Sequence, residues 1–502
     1  MTVSPERVLA LDCGTHAVRV LAFDPATGDH RLLAERDLPL QHAGPHAVHI
    51  DPRTLADATL ATVRTAIDSC AREGHTVTAL SVTNMRETAL TWSRSSGKPL
   101  APGVMWMSQE SRPVVERWRA AGYDRLIRER TGLTNDPFFF GSKLAWLLEQ
   151  DDGVADAAAT GDLAVGTVDS FLLHVLTDGA IHATDASNAS RTQLMDIGSG
   201  SWSAELCETL GVPQHCLPAI SPSATWFGTT DAAACGASVP IAGVMADQQA
   251  SLLGHGCESA GQVKATLGTS GVVCAQLGRE RADGAGLLTS ISWHAPDGTI
   301  QYELEGSAFH CGYTNNWIND RIAGARDVPR DARLGPAPSA GDRVYLLPAF
   351  TGLGAPRWPS GRGAALIGLG MDTRPEDIVR AGLESMAYQI HDLLQAVIAH
   401  IGPVNALNVD GGGARSDYVC SMLADLTGLQ VIRPGLCELT SAGAAIAGLR
   451  GINRASEGGS FVTAAGAARF EPGASHYAQD GYARWADLVH RVLEGTQEDS
   501  TP

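Results

Sequence analysis

The sequence predicts an α/β protein built from two large domains with related folds. Its 502 residues are too many for a single hydrophobic core, so a division into at least two domains is expected. Short apolar runs typical of buried strands alternate with longer segments of helical periodicity. Two strand–turn–strand units, with turns at Gly14-Thr15 and Gly268-Thr269, lie about half the chain apart. This spacing predicts a duplicated fold, with one domain in residues 1–254 and the other in residues 255–502.

Composition and charge exclude several classes of protein. Hydrophobic residues make up 44% of the chain and charged residues 18%, as in ordinary soluble globular proteins. The formal net charge of −18 disfavours a nucleic-acid or anionic-membrane partner. No apolar run reaches the roughly 20 residues needed to span a bilayer, and the N-terminal residues do not resemble a signal peptide. We therefore expect a cytoplasmic protein with no nucleic-acid partner and no membrane insertion.

The cysteines predict neither a metal site nor a disulfide framework. All ten are scattered singly along the chain, and no CxxC pair occurs among them. Zinc sites and small disulfide-rich domains both require closer and more regular spacing. We expect reduced and mostly buried thiols, as is usual in the cytoplasm.

The turn at Gly14 is a candidate site for an anionic ligand. A strand-like run ends in Asp12, and another follows the turn. Gly14 allows the backbone to approach a ligand closely, Thr15 adds a hydroxyl donor, and Asp12 places a carboxylate at the mouth of the turn. An ordinary β-hairpin would account for the same pattern. The recurrence of this unit in the second half favours the functional interpretation, with a phosphate loop in each half.

Near the middle of the chain, an apolar run at residues 240–246 ends in Asp247, Gln248 and Gln249. A small-residue segment that can start a helix follows these residues. A carboxylate at the end of a buried strand is costly to desolvate unless it is hydrogen-bonded or faces a polar cleft. Asp247 could therefore be the N-cap of the next helix or a functional group in a cleft.

Another strand-like run, at residues 76–82, leads into a polar segment that contains Arg86 and Glu87. Adjacent residues of opposite charge commonly form a surface pair. After a buried strand they could instead face a cleft, where they would donate to and accept from substrate hydroxyls. Trp106 and Phe138 could wall such a pocket or belong to the hydrophobic core.

The second half contains a glycine-rich segment that could receive a nucleotide. A predicted long amphipathic helix at residues 375–401 is followed by a strand-like run at 406–410 and by Gly411-Gly412-Gly413. Bare backbone before a helix N-terminus allows a nucleotide to approach closely. The glycine pattern matches neither a Walker A loop nor a GxGxxG fingerprint, so it indicates neither a P-loop NTPase nor a Rossmann dehydrogenase.

Nine segments form a pattern when they are taken in order along the chain. They are residues 11–15, 83–88, 166–169, 187–192, 246–249, 267–270, 348–356, 409–412 and 440–444. In this order they resemble segments of the FGGY carbohydrate kinases, and among them most closely the kinases of glycerol. One Gly-Thr turn is weakly specific, but nine segments in the family's order are strongly specific. The resemblance implies the two-domain fold of the actin, hexokinase and Hsp70 ATPases, with duplicated ribonuclease H-like domains.

The resemblance also implies roles for individual residues. It implies that Asp247 is the general base that takes the proton from the attacking hydroxyl, and that Asp12 and Asp247 lie near Mg²⁺. Residues matching positions that contact the polyol are Arg86, Glu87, Trp106, Phe138, Asp247, Gln248 and Val272. Residues matching positions that contact ATP are Asp12, Gly14, Thr15, Arg19, Gly268, Thr269, Gly312, Asn316, Gly412 and Ser416.

Four positions depart from the pattern of the kinases of glycerol. Val272 stands where those proteins carry an aromatic residue, and the residues around it look like those of xylulose kinases. Phe138 replaces a tyrosine and lacks its hydroxyl, while Cys13 and Met85 each replace a glutamine. Because sites discriminate strongly when polar groups are left unpaired, these changes could reshape the pocket.

We expect ATP-dependent phosphorylation of a small polyol at a terminal hydroxyl, with glycerol converted to sn-glycerol 3-phosphate as the leading reaction. A kinase of another polyol or a ketose, of the erythritol, xylulose or ribulose type, is the alternative. A non-catalytic sugar sensor or chaperone-like ATPase is disfavoured because Asp12, Asp247 and both Gly-Thr turns are intact. ATP and Mg²⁺ are the expected cofactors, and the resemblance also implies a homo-oligomer.

Overall fold

The computed structural model divides the chain into two compact units, each made of several segments. The structure describes residues 5–44, 46–284, 286–322, 334, 343–350, 352–357, 363–454, 461, 466–474 and 476–494. Within the predicted segment 348–356, Thr351 lies outside the described residues. The first unit comprises Met1–Gly256, Thr289–Tyr302 and Glu438–Thr463. The second unit comprises Cys257–Leu288, Glu303–Cys437 and Ala464–Pro502.

Strands and helices alternate along the first half of the chain, as the apolar patterns predict. Its elements are β1 (Glu6–Cys13), β2 (Ala17–Phe23), β3 (His30–Asp37), β4 (Leu40–His42), β5 (Val48–Ile50), α1 (Pro52–Arg72), β6 (Thr76–Asn84), β7 (Leu90–Ser93), β8 (Gly103–Val104), α2 (Arg112–Ala120), α3 (Asp124–Thr131), α4 (Phe140–Gln150), α5 (Asp152–Thr160), β9 (Leu163–Gly166), α6 (Val168–Leu176), β10 (Ala183–Asp185), α7 (Ala186–Ala189), β11 (Met195–Asp196), β12 (Ser201–Trp202), α8 (Ala204–Leu210), β13 (Ala219–Ser221), β14 (Gly228–Thr229), α9 (Ala232–Cys235), β15 (Pro240–Ala246) and α10 (Asp247–Gly254).

The second half begins with a strand pair and ends in helices. Its elements are β16 (Val263–Leu267), β17 (Gly271–Gly278), β18 (Leu288–His294), β19 (Ile300–Ala308), α11 (Gly312–Arg321), β20 (Tyr345–Leu347), β21 (Ala365–Ile367), α12 (Pro375–Ile401), β22 (Ala406–Asp410), α13 (Asp417–Thr427), β23 (Gln430–Arg433), α14 (Leu439–Gly451), β24 (Ala468–Phe470) and α15 (Tyr477–Val489).

A six-stranded sheet forms the centre of the first unit, in the strand order β14-β15-β6-β1-β2-β3. Three neighbouring strands, β15, β6 and β1, run parallel to one another. Near their carboxyl ends, Thr83 of β6 pairs with Asp12 of β1 on one side and with Met245 of β15 on the other. Because the three strands end in register, the segments that follow them leave the sheet at one edge.

Helix α14 belongs to the first unit although it lies late in the sequence. A Cβ atom on Gly448 would lie 2.0 Å from the Ser81 hydroxyl oxygen of β6, and one on Gly443 would lie 1.8 Å from the carbonyl oxygen of Ala250 in α10. These positions accept only glycine because α14 packs closely on the sheet and on α10. The compact units are therefore not the two continuous segments, 1–254 and 255–502, that the sequence predicts.

A seven-stranded sheet, in the order β18-β19-β17-β16-β22-β23-β24, repeats the central arrangement of the first sheet. Strand β16 forms an antiparallel hairpin with β17 and pairs in parallel with β22. In the first sheet, β1 likewise forms a hairpin with β2 and pairs in parallel with β6. The prediction of an α/β fold with a strand–Gly-Thr–strand unit in each half is confirmed.

The cysteines agree with the prediction of mostly buried thiols. All ten thiols are free, and nine of them are buried, with Cys437 exposed. Burial raises the pKa of the Cys207, Cys216 and Cys235 thiols to about 11. Among the helices of the described residues, none combines the length and the apolar character that a membrane span requires.

Candidate active site

Asp247 lies at the opening of helix α10, directly after the buried strand β15. The residue preceding the helix is Ala246, so the alternative in which Asp247 is the N-cap is wrong. The Asp247 side chain is 31% exposed, and its Oδ1 accepts a hydrogen bond from the Gln248 backbone N–H at 2.7 Å. The carboxylate is therefore held at the edge of the sheet while part of it faces solvent.

Four side chains of alternating charge lead from Asp247 into the interior of the first unit. Arg86 Nε lies 3.3 Å from Asp247 Oδ1 and 3.6 Å from Glu87 Oε1. Arg191 Nε donates a hydrogen bond to the same Glu87 oxygen at 2.7 Å. Arg86, Glu87 and Arg191 are all buried, so the surface-pair interpretation of the first two is wrong. Alternation of charge gives each buried ion an opposite partner, which burial requires.

Glu87 adopts a strained backbone conformation, with φ at +60°. Left-handed conformations of residues other than glycine cost on the order of 1–3 kcal/mol and cluster at functional sites. The conformation directs the segment after β6 so that Arg86 and Glu87 both belong to the four side chains of alternating charge. Strain, burial and ion pairing thus all support a functional role for this segment.

The polar segment at residues 187–192 stabilises this edge of the sheet through hydrogen bonds. Ser187 Oγ accepts a hydrogen bond from the Ala246 backbone N–H at 2.9 Å. The side chains of Asn188 and Asn84 exchange hydrogen bonds at 3.0 and 3.3 Å. Both contacts fix the carboxyl ends of β15 and β6.

Arg191, from the same segment, is a site residue that the sequence did not predict. The available signal was a single basic residue in an otherwise neutral polar segment.

Asp12 and Arg19 form an ion pair beside the first Gly-Thr turn. They lie opposite each other in the β1–β2 ladder, and Arg19 Nη2 donates to Asp12 Oδ2 at 2.6 Å. Burial raises the pKa of Asp12, and the Arg19 charge partly opposes that rise. The turn itself is closed by a hydrogen bond from the Gly14 N–H to the Ala17 carbonyl at 3.0 Å.

Two partly exposed aromatic residues, Trp106 and Phe138, form the predicted wall of the polyol pocket beside the first Gly-Thr turn. The Trp106 indole N–H donates to Thr15 Oγ1 at 3.1 Å. The Trp106 and Phe138 rings meet edge to face with centroids 5.8 Å apart. Phe139 and Phe140, by contrast, are fully buried. Trp106 and Phe138 each retain a partly exposed surface, so neither lies wholly within the hydrophobic core.

A buried lysine supports the backbone of this wall. Lys143 Nζ donates hydrogen bonds to the Phe138 carbonyl and, at 3.3 Å, to the Phe139 carbonyl. Burial lowers the pKa of Lys143 to about 7, although the carboxylates of Glu87 and Asp136 oppose that change. Lys143 is a second site residue that sequence reasoning missed, because it lies within an ordinary helical pattern.

In the second unit, the second Gly-Thr turn contacts the N-terminus of helix α11. The Gly312 N–H donates to the Gly268 carbonyl at 2.9 Å, and the Tyr313 N–H donates to the Thr269 carbonyl at 3.1 Å. A Cβ atom on Gly312 would lie 2.4 Å from the Gly268 carbonyl oxygen, so only glycine allows this approach. Asn316 follows on α11, where it is exposed.

In the glycine segment after β22, Gly411 is required by the fold, whereas Gly412 has room for a side chain. Gly411 has φ at +86°, and a Cβ atom there would lie 2.7 Å from the Leu267 carbonyl oxygen. Gly412 has φ at −62°, and a Cβ atom there would meet no atom of the described residues within 4 Å. Ser416 is the N-cap of α13 and accepts a hydrogen bond from the Val419 N–H at 3.2 Å.

The predicted site residues divide between the two units. Those predicted to contact the polyol lie in the first unit, except Val272, which is buried in strand β17 of the second unit opposite Thr266. Residues predicted to contact ATP occur in both units. The geometry within the first unit brings together Asp247 and Arg86, and the geometry within the second brings Gly268 and Gly312 together.

Comparison with known proteins gives matches along nearly the whole chain. The model described as "FGGY family of carbohydrate kinases, N-terminal domain" matches residues 7–254. The corresponding C-terminal domain model matches residues 263–452. A glycerol kinase of Methylibium petroleiphilum is 41% identical over 452 residues, covering 88% of this chain and 90% of its own. A glycerol kinase of Cereibacter sphaeroides is 38% identical over 494 residues, covering 97% and 99%.

Solved structures share the fold at lower sequence identity. The crystal structure of Plasmodium falciparum glycerol kinase with ADP has a TM-score of 0.86 and 24% identity, covering 97% of this chain and 98% of that one. The ligand-bound xylulose kinase from Lactobacillus acidophilus has a TM-score of 0.85 and 18% identity, covering 99% and 100%. At these identities the structural matches bear on the fold alone.

Proposed function

Because the chain belongs to the FGGY family of carbohydrate kinases, we propose that it transfers the γ-phosphoryl group of ATP to a terminal hydroxyl of glycerol, giving sn-glycerol 3-phosphate. The relatives at 38–41% identity that carry the name glycerol kinase support glycerol as the acceptor.

ATP as phosphoryl donor agrees with a cytoplasmic location. Light scattering of the purified protein would test for the homo-oligomer that the resemblance implies.

The contact between Arg86 and Asp247 is the observation that carries the proposal. Arg86 Nε, 3.3 Å from Asp247 Oδ1, orients a partly exposed carboxylate at the edge of the sheet. Beside it, Glu87 offers carboxylate oxygens and Arg86 offers N–H donors, so neighbouring hydroxyls of a polyol would find both kinds of partner. Gln248 adds an amide side chain on the same helix opening.

The chemistry requires a base for the attacking hydroxyl. A hydroxyl is a poor nucleophile near neutral pH, and a positioned carboxylate acting as general base contributes about 10²–10⁴-fold in rate. In the proposed reaction, the acceptor oxygen bonds to the γ-phosphorus and the bond from that phosphorus to the bridging oxygen breaks. The hydroxyl proton passes to Asp247, and ADP leaves. Alignment of the acceptor with the phosphoryl group supplies much of the remaining acceleration.

Asp12 fits a role beside a magnesium ion that accompanies ATP. Its Oδ2 is occupied by Arg19 at 2.6 Å, while its Oδ1 accepts no hydrogen bond from the described residues. Mg²⁺ in kinases takes one or two carboxylates, with substrate phosphates and water completing the shell. Asp12 and Asp247 would supply such oxygen ligands. When bound, the ion would neutralise charge on the phosphates.

For the nucleotide, backbone groups rather than charged side chains dominate the proposed contacts. Gly14 and Thr15 in the first unit, with Gly268 and Thr269 in the second, are the two turns proposed to meet the phosphates. Gly412 presents bare backbone with no other described residue within 4 Å of where its Cβ would lie, which suits the approach of a nucleoside. Arg19, Gly312, Asn316 and Ser416 complete the proposed contacts to ATP.

A kinase of another polyol or of a ketose is the second candidate function. Phe138 presents a hydrocarbon ring where the kinases of glycerol carry a hydroxyl, and Val272 replaces an aromatic residue. A wall with fewer polar groups and a smaller side chain would accept a longer acceptor such as erythritol, xylulose or ribulose. Phe138 is partly exposed beside Trp106, which supports its proposed position in the wall of the pocket.

A coupled assay of ADP release tests the function directly. Purified protein with ATP and Mg²⁺ is supplied in turn with glycerol, erythritol, xylulose, ribulose and gluconate, and kcat/KM is compared. We expect the highest value with glycerol. A higher value with a pentulose or tetritol would replace glycerol by the second candidate. If none of the five acceptors stimulates ADP release, the protein is not a polyol kinase of this kind. Asp247→Asn protein, purified in the same way, controls for contaminating kinases.

A further inference from the structure

Arg19 contacts two carboxylates that come from different elements of the first unit. Its Nη2 donates to Asp12 Oδ2 at 2.6 Å, and its Nη1 lies 3.2 Å from Glu438 Oε2. Asp12 faces Arg19 across the β1–β2 ladder, whereas Glu438 directly precedes helix α14. The two ends of the guanidinium group are therefore held by separate parts of the fold, beside the first Gly-Thr turn.

We propose that Glu438 is a positioning residue that holds the Arg19 guanidinium group beside Asp12 in the orientation that meets the phosphates of ATP. The inference rests on the proposed function, in which Arg19 and Asp12 contact ATP and its metal ion. Glu438 would touch neither substrate, and it would act only through Arg19.

The geometry of the guanidinium group makes this role specific. A guanidinium group has five N–H donors in a rigid plane. Contacts to two carboxylates through Nη1 and Nη2 fix both the position and the tilt of that plane, and the remaining donors stay available to phosphate oxygens. With Asp12 alone, the group could rotate about one contact, because a long arginine side chain has many rotamers.

A purely structural role accounts poorly for the Glu438 contact. The side chains of Arg19 and Glu438 are each 31% exposed, and ion pairs with this exposure contribute little to stability. Close packing of α14 on the sheet at Gly448 already fixes the helix. Loss of the Glu438 charge should therefore leave the fold intact and change only the placement of Arg19.

Glu35 offers a matched control for charge alone. It pairs directly with Arg19 in the β2–β3 ladder, and its charge raises the pKa of Arg19, as the charges of Asp12 and Glu438 do. Glu35 is exposed, and the described residues contain no ion pair between Glu35 and Arg19. Glu35→Gln thus removes a nearby negative charge without removing a contact to the guanidinium group.

A double-mutant cycle tests the inference. The proteins are wild type, Glu438→Gln, Arg19→Gln and the double variant, with Glu35→Gln as the control. We expect Glu438→Gln to lower kcat/KM for ATP by about tenfold or more, on the scale of a misplaced catalytic group. The KM for glycerol and the thermal midpoint should stay at wild-type values. The double variant should be no slower than Arg19→Gln alone, because Glu438 acts through Arg19.

Additive losses in the double variant, or equal losses in Glu35→Gln and Glu438→Gln, would overturn the inference. Calorimetric titration of the same proteins with a non-hydrolysable ATP analogue provides a readout that does not need turnover. We expect weaker binding in Glu438→Gln, again without additivity. If wild-type protein releases no ADP with any acceptor, the proposed function fails, and the calorimetric cycle still decides the role of Glu438.

Discussion

The Nε atom of Arg86 lies 3.3 Å from Oδ1 of Asp247, and this contact joins two neighbouring parallel strands. Arg86 follows β6 and Asp247 follows β15, whose last residues, Asn84 and Ala246, pair in register. The residue proposed to bind a substrate hydroxyl therefore orients the residue proposed to deprotonate one. Substrate binding and proton transfer should respond together when Arg86 changes.

Arg86→Lys should raise the KM for glycerol about tenfold or more, equivalent to about 1.4 kcal/mol of binding. Lysine keeps the charge, but its compact ammonium group cannot face both Asp247 and Glu87 as a planar guanidinium group does. Steady-state kinetics with saturating ATP would measure the change. Arg72→Lys, at the exposed end of α1, is the matched control and should be neutral. An unchanged KM in Arg86→Lys would contradict the proposed binding role.

Phe138→Tyr should raise kcat/KM for glycerol by about 2- to 10-fold, the value of one additional hydrogen bond of about 0.5–1.5 kcal/mol. Phe138 is partly exposed beside Trp106, and in the proposed pocket wall the new hydroxyl would bond to the substrate. Phe139→Tyr is the control: Phe139 is fully buried, and its hydroxyl should lower stability without improving kinetics. Equal kinetic effects of the two substitutions would show that Phe138 does not line the pocket.

Gly411→Ala and Gly412→Ala should affect different properties: the first the stability of the fold, and the second the KM for ATP. The first forces a methyl group against the Leu267 carbonyl at positive φ and should lower the thermal midpoint. The second adds a methyl group that meets no atom in the described part of the chain, so the midpoint should be unchanged while the KM for ATP rises. Thermal melts and ATP titrations measure both. Wild-type ATP kinetics in Gly412→Ala would remove this glycine from the proposed nucleotide contact.

Lys143→Met should change how stability depends on pH. Burial lowers the pKa of Lys143 from 10.5 to about 7 in the folded protein, so between these values the unfolded chain binds more protons. The unfolding free energy of wild type should therefore rise with pH across this window, by up to about 1.4 kcal/mol per pH unit. Urea denaturation from about pH 7 to about pH 9.5 would show the unfolding free energy of wild type increasing relative to that of the variant. A difference independent of pH would contradict a depressed pKa.

Local patterns predicted the elements and the candidate residues that depend on neighbours in sequence. The helix predicted at 375–401 is observed as Pro375–Ile401, and the strand predicted at 406–410 as Ala406–Asp410. Such elements follow from apolar periodicity and from proline and glycine at their ends. Asp247 was found because a carboxylate at the end of an apolar run is unusual.

Long-range partners could not be predicted in this way. Arg191 contacts Glu87 across 104 positions of sequence, and Glu438 reaches Arg19 from the other end of the chain. No local pattern encodes these pairs, because they exist only after the sheet has brought their elements together. The same reason explains why α14 joins the first unit rather than the second.

The central claim is that Asp247 is the general base, and Asp247→Asn tests it most directly. Asparagine keeps the size of the side chain and an oxygen that can accept from the Gln248 N–H, but it does not take up the proton. We predict that glycerol-dependent ADP formation falls by about 10²-fold or more, while ATP affinity and the thermal midpoint match those of the exposed control Asp57→Asn. Turnover of Asp247→Asn near the wild-type rate would contradict the claim.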